Sequence, residues 1–234
     1  MNELETRDDC VARATANFCD ASVPAFCGVC RTRFATVYPK GTPIFVEGQD
    51  ACGVYMLCAG RVKLSTSSGR ARVLITHIAE AGEILGLGAA LSGDPYEVTA
   101  EALEPCRLTF IEREQFLRLL GEDGEAALRA ARQLNINYRA AFEQSRLLGL
   151  SQSAAGKLAR FLLESCAREP RANGASASRL ILALTHEEIG QRIGASRETV
   201  TRLFSEFKQS RIIRINGATL HIRNSSALET LAKY

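Results

Sequence analysis

Residues 189–203 read Ile189-Gly190-Gln191-Arg192-Ile193-Gly194-Ala195-Ser196-Arg197-Glu198-Thr199-Val200-Thr201-Arg202-Leu203, the pattern of two short helices meeting at a tight turn. The first helix opens upstream at Thr185-His186-Glu187-Glu188, whose S/T-x-x-E form is a capping box. Ile189 and Ile193 lie four apart on one of its faces. Gly194 breaks the periodicity, and Ser196 is placed to cap the next helix by accepting its unpaired amide protons. Along that second helix Val200, Leu203, Phe204 and Phe207 form the apolar stripe, leaving Arg197, Glu198, Thr201 and Arg202 to point outward. A helix-turn-helix sets such a leading turn in the major groove, where arginine pairs with guanine and glutamate accepts from cytosine.

An ordinary surface hairpin of two charged helices would look similar over these residues alone. The next segment separates the readings. Arg211–Ile215 and Ala218–Arg223 alternate as strands do, and Asn216-Gly217 between them is a strong hairpin signal. Helix, turn, helix and hairpin make a winged helix. Residues 179–223 hold eight Lys/Arg against four acidic side chains, an excess larger than the net charge of +3 for all 234 residues. Positive charge therefore gathers where a phosphate backbone would lie, and double-stranded DNA is the expected partner.

Apolar residues make up 46% of the chain, enough for real cores, and no uninterrupted apolar stretch is long enough for a membrane span. The polar, acidic start Met1-Asn2-Glu3-Leu4-Glu5 is unlike a signal peptide, so a cytoplasmic protein is expected. In that compartment the eight cysteines are better read as thiols, ligands or sensors than as a disulfide framework.

Upstream the texture changes. Short apolar stretches at Arg33–Tyr38, Thr42–Val46, Val54–Cys58, Arg61–Ser65, Arg72–Ile78, Tyr96–Ala100 and Arg107–Ile111 alternate with Gly-rich turns, as in a sandwich or barrel. Neither a G-x-G-x-x-G nor a Walker A sequence occurs. Between the blocks, Glu112–Leu120 predicts a short helix and the segment to about Leu148 a long one, with Gly149 as its end and hinge. Ala127, Ala131, Leu134, Tyr138, Ala141, Ser145 and Leu148 recur there at alternating fours and threes, a heptad seam suited to a partner helix. A helix laid on its own barrel is the competing reading. Ser151–Cys166 predicts a further helix and Arg179–Leu184 a strand.

This order of parts resembles the Crp/Fnr family of bacterial transcription regulators over roughly residues 33–230. Tyr38-Pro39-Lys40-Gly41, Phe45-Val46-Glu47-Gly48, Gly60-Arg61-Val62-Lys63 and Gly82-Glu83-Ile84-Leu85-Gly86 are similar to successive turns of its cyclic-nucleotide-binding barrel. Leu184–Gly190 and Ser196–Arg202 are similar to its helix-turn-helix. The resemblance implies an α+β fold with an N-terminal β jelly-roll barrel, a long dimerisation helix and a C-terminal winged helix-turn-helix. The expected division is an N-terminal cysteine-containing segment (1–32), a jelly-roll sensor (33–120), a dimerisation helix (121–148) and a DNA-binding domain (149–234). It also implies a homodimer on a palindromic site and RNA polymerase as a partner. Base reading falls on Arg197, Glu198, Arg202 and Thr201, and backbone contact on Thr185, Ser196 and Thr199. That set is closer to the cyclic-AMP-responsive members and favours a TGTGA-like half-site. Glu187 stands where those members carry glutamine.

The sensor departs from the resemblance. The position of the ribose-binding glutamate is Leu87, and those of the phosphate-binding Arg-Ser pair are Tyr96-Glu97. A phosphate pocket that lost its cation and gained a carboxylate would suffer repulsion and desolvation together. Gly82, Glu83, Leu85 and Gly86 complete this degenerate effector pocket, with Glu83 read as a turn residue and Arg70, Arg72 or Arg107 as cations within its neighbourhood. Control by cyclic AMP is not expected. The oxygen-sensing members hold an iron–sulfur cluster on cysteines, and Cys19, Cys27, Cys30 and Cys106 are the residues here that such a cluster or zinc would use. Their C-x7-C-x2-C spacing differs from that group's, so no cofactor is the first expectation, beside a cluster, a thiol sensor or inert cysteines. A regulatory subunit that does not bind DNA is the alternative of another class. An enzyme is not expected: His77, His186 and His221 are scattered, and no H-E-x-x-H or G-x-S-x-G sequence is present.

Overall fold

The computed structural model describes residues 35–68, 72–150, 153–168, 179–182 and 184–233. Eight short strands form two four-stranded sheets. The first runs β1 (Thr36–Tyr38), β8 (Cys106–Glu112), β3 (Gly53–Ala59), β6 (Ile84–Leu85); the second runs β2 (Pro43–Phe45), β7 (Thr99–Ala102), β4 (Val62–Ser68), β5 (Arg72–Ala79). This is the jelly roll that the Gly-punctuated strands imply.

Alternation explains why β3 reads as a nearly continuous apolar run. In register with β8, Val54 faces Ile111 and Leu57 faces Leu108. Leu57, Leu85, Cys106 and Leu108 turn into the sandwich with Phe45, Val62, Ala79, Tyr96 and Ala100. Val54, Met56, Ile84 and Ile111 turn the other way and are covered by Leu87, Ala90, Phe116, Ala126 and Ala130. Both faces are thus buried, the first by the opposing sheet and the second by helices.

Those helices are α1 (Leu87–Ser92), α2 (Arg113–Glu122) and the start of α3 (Gly124–Leu150). Asp123, in extended backbone between α2 and α3, accepts the amides of Glu125 and Ala126 at 2.9 and 3.2 Å and so starts the long helix. Helix α3 runs for 27 residues and ends at Leu150, one residue beyond Gly149.

The second part comprises α4 (Ala154–Arg168), β9 (Arg179–Ile181), α5 (His186–Ile193), α6 (Arg197–Gln209), β10 (Ile213–Asn216), β11 (Thr219–Ile222) and α7 (Ser225–Lys233). Its three-stranded sheet has the order β10-β11-β9. One core holds Leu158, Leu162, Ile189, Val200, Phe204, Ile213, Leu220 and Leu228. The chain divides into two compact units, Met1–Ser67 with Ile75–Ala141 and Ser68–Leu74 with Phe142–Tyr234, so the division falls inside α3.

Candidate nucleic-acid interface and effector pocket

The helix-turn-helix is held by local chemistry at every joint. Thr185 accepts the amide of Glu188 at 3.2 Å while the Glu188 carboxylate accepts the Thr185 amide at 2.7 Å, closing the capping box. Gly194 ends α5 in the left-handed region at φ 70°, where glycine carries no steric penalty. Ser196 then caps α6 by accepting the Thr199 amide at 3.2 Å. The turn is so tight that a Cβ at Gly190 would stand 2.6 Å from the Ala195 carbonyl oxygen. That oxygen's neighbourhood is pinned, because Gly190 O accepts the amides of Gly194 and Ala195.

Helix α6 buries Val200, Leu203, Phe204 and Phe207 and leaves Arg197, Glu198, Thr201 and Arg202 exposed. Ser196 and Thr185 are exposed as well, and Thr199 is half-buried with its hydroxyl 3.1 Å from that of Ser196. The Glu198 carboxyl is held below the usual carboxylate range, first by its own amide at the helix start, then by the Ser196 hydroxyl and the Arg197 charge. Arg202 lies 2.6 Å from Glu206 one turn on, an exposed ion pair on the surface of α6. His186 stacks flat on Phe204, ring centroids 4.8 Å apart at 4°, with Nδ1 2.9 Å from the Thr201 hydroxyl. Burial, then Lys208 and Arg197, push the His186 imidazole below its ordinary value.

At the far end of α6 the amides of Arg211 and Ile212 reach back to Lys208 and Phe207 at 3.0 and 2.9 Å, a Schellman closure. Its left-handed position, normally glycine, is Arg211 at φ 55°. The wing turn also sits one residue later than the Asn-Gly reading places it. Asn216 still pairs with Thr219, so the loop is Gly217-Ala218, with Gly217 at φ 58° and Ala218 not left-handed. Glycine at the first loop position followed by a residue of negative φ is the type II′ pattern, in place of the type I′ that Asn-Gly favours.

In the barrel, several of the positions expected to form the effector pocket are buried. Leu87 and Tyr96 are buried, and the Tyr96 ring stacks on Phe45 with centroids 4.0 Å apart. The Tyr96 hydroxyl donates to Gly53 O at 2.7 Å, and burial followed by Tyr55 pushes its phenol up to about 12. Gly86, at φ 75°, leaves room for that ring: a Cβ there would meet it at 2.6 Å. Leu85 is buried in the same cluster, and Gly82 turns at φ 96° with its amide on Leu57 O. Glu97 is exposed, with a carboxylate oxygen lying over Gly88. Glu83 is more than a turn residue. Its buried carboxylate accepts the Glu80 amide at 2.9 Å, meets His77 Nε2 at 2.8 Å and accepts from Gln133 of α3 at 3.3 Å.

Cys106 is buried, its one thiol proton shared between the carbonyls of Arg61 and Glu104, 3.2 and 3.1 Å from the sulfur. Burial raises its pKa, the reverse of what a thiolate ligand needs. Cys19, Cys27 and Cys30 lie outside the described residues. Along α3 the seam positions divide: Ala131, Tyr138, Ala141 and Ser145 are exposed, while Ala127, Leu134 and Leu148 are half-buried. Leu134 packs on the barrel cluster. Leu128, Ile136 and Phe142 are exposed apolar residues outside that seam. No helix among the described residues is long and apolar enough to cross a membrane.

His186, Gly190, Glu206 and Arg211 carry no mark in the local sequence of the parts they play in the folded motif. The S/T-x-x-E box marked the helix start but gave no sign that the histidine inside it would stack across the motif.

Residues 35–123 match the cyclic nucleotide-binding domain model and residues 156–231 the Crp-like helix-turn-helix domain model. The chain is 32% identical to the transcriptional activator protein anr of Pseudomonas aeruginosa, covering 82% of this chain and 78% of that one. It is 26% identical to a CRP-like cAMP-activated global transcriptional regulator of Mycobacterium tuberculosis, over 84% of this chain and 87% of the relative. Among solved structures, FixK2 of Bradyrhizobium japonicum superposes with a TM-score of 0.72 at 26% identity, covering 85% of this chain and 96% of that one. The Pseudomonas and Mycobacterium relatives are named for control of transcription. With both halves of the architecture matched, the chain belongs to the Crp/Fnr family of transcription regulators.

Proposed function

We propose that the protein acts as a homodimer on a palindromic, TGTGA-like operator and regulates transcription without cyclic AMP bound in the usual manner. The observation that carries this reading is the leading turn of α6. Arg197, Glu198 and Arg202 are exposed together on a helix whose opposite side is locked into the core by Val200, Leu203, Phe204 and Phe207. Thr185, Ser196 and Thr199 hold the DNA backbone, and a twofold axis along α3 sets two such helices one turn of DNA apart. In this reading 33–120 is the sensor, 121–148 the dimerisation helix and 149–234 the DNA-binding domain, with RNA polymerase as the downstream partner. The signal reaches a barrel whose phosphate-binding place is taken by the Tyr96 ring and the Glu97 carboxylate.

Selection of sites from random duplex by the full-length protein tests the output, with inverted TGTGA-like arms as the expected result. Recovery of sequence without a consensus refutes it. Each bidentate base contact is worth about 1–3 kcal/mol of discrimination, so Arg202→Ala flattens base preference while leaving affinity for random DNA nearly intact. Calorimetry with cyclic AMP tests the input. A saturable isotherm with one site per subunit refutes the filled pocket.

A further inference from the structure

We infer that His186 is a positioning residue for base readout: it locks the Thr201 hydroxyl toward the protein, so that Thr201 meets the operator with its methyl group and selects a thymine. The inference rests on the DNA-binding reading above and deepens it. A threonine hydroxyl carries one proton. Here it is spent on the carbonyl of Arg197, one turn back, at 2.9 Å. The same oxygen lies 2.9 Å from His186 Nδ1, so the imidazole is the donor of that second bond and holds its proton on Nδ1. The ring cannot swing away without leaving the Phe204 face on which it lies nearly parallel. Both hydroxyl bonds therefore tie the oxygen to the protein, and Thr201 nevertheless remains exposed. What an exposed threonine offers once its hydroxyl is committed is its methyl.

In the major groove the matching partner is the C5-methyl of thymine, the one apolar group that a base edge presents there. Donating to a base through the hydroxyl instead would require giving up the bond to the Arg197 carbonyl. Thr201 stands between Arg197 and Arg202, whose guanidinium groups suit guanine, so the arrangement places a methyl contact among hydrogen-bonded ones.

The test uses the full-length protein and the duplex recovered by site selection, with each thymine exchanged in turn for deoxyuridine, which lacks only the methyl. Burying one methyl predicts about a fourfold loss of affinity at a single position of each half-site. That loss persists in Thr201→Val, which keeps a methyl and drops the hydroxyl, and vanishes in Thr201→Ser, which does the reverse. His186→Phe keeps the stack without the donor and diminishes the loss; His186→Asn, which returns a donor near the Nδ1 position, restores it. A Thr201→Ser protein that still distinguishes thymine from deoxyuridine overturns the inference. So does a wild-type protein indifferent to every exchange, a result that needs no variant to fold. Failure of the parent reading is seen earlier and differently, as wild-type protein that selects no sequence at all.

Discussion

Gly190→Ala sets two known effects against each other at one atom. Alanine in place of a helix-interior glycine ordinarily stabilises by about 1 kcal/mol. Here the new carbon arrives 2.6 Å from Ala195 O, with Ser196 C at 3.4 Å and Ala195 C at 3.5 Å. All three are backbone atoms, so no side chain can rotate aside, and the turn that carries them is pinned by the two amides bonded to Gly190 O. Overpacking of this kind costs about 1–3 kcal/mol. The net expectation is a loss of up to about 2 kcal/mol, or a fall in the midpoint of the DNA-binding unit of about 4–8 °C for each kcal/mol. Gly149→Ala is the matched control, since nothing lies within 4 Å of its added carbon and propensity alone acts. Circular dichroism melts of both variants should therefore move in opposite directions. A Gly190→Ala midpoint at or above wild type refutes the reasoning, because that is how a glycine with open space around it behaves.

Arg211→Gly should stabilise the fold by a net of about 0.5–1 kcal/mol, read as a higher urea midpoint at unchanged slope, since relief of a left-handed side chain outweighs the added freedom of the unfolded glycine; a lower midpoint would show that the arginine side chain itself holds the fold. Tyr96 gives an alkaline transition. A phenol whose folded pKa is raised from 10.0 to about 12 contributes stability that is full below pH 10 and is lost as pH climbs toward 12. Denaturation across that window should show the decline in wild type and less of it in Tyr96→Phe. Ala131→Glu, on an exposed position of the α3 seam, should halve the mass seen by light scattering, whereas an unchanged mass places the dimer interface elsewhere. Ala131 serves better here than Leu134, whose side chain already packs on the barrel cluster, so a charge there would unfold as well as separate.

What could be read from the chain follows the range of the interactions involved. The helix-turn-helix is built from contacts within a few residues: Thr185 with Glu188, Ser196 with Thr199, Gly194 in its left-handed turn. Each leaves a mark in the local sequence, and each was legible. The jelly roll was legible as texture, because turns recur at regular spacing, but not in full. The two-residue β6 and the six-residue α1 are too short to carry a period, and β7 begins at Thr99 where the apolar run had pointed to Tyr96. Tyr96 looks like a strand residue by composition, yet it is fixed by Phe45 and Gly53, both more than 40 positions away. Helix α7 went unread for a related reason, since its Asn224 cap and single fully buried Leu228 are a weak signal until α4 is there to receive them.

The seam on α3 shows the same limit from the other side. A heptad pattern states that a stripe is apolar but not what it faces. The structure assigns Ala126, Ala130 and Gln133, a neighbouring stripe, to the interior. Gln133 is among the few buried polar residues, and its amide bonds to Glu83 and Asn137 at 3.3 and 3.0 Å. Glu83 in turn is tied to His77 in β5. A buried carboxylate tolerates desolvation only while such partners are kept, so these contacts fix the register of α3 against the barrel more stringently than an apolar surface would. The barrel and the first half of α3 are thus joined by a specific polar linkage. The helix-turn-helix keeps its caps and its apolar stripe, while Leu87 and Tyr96 are committed to packing in the barrel. On the proposed reading, a signal enters this barrel through contacts other than the usual phosphate cradle.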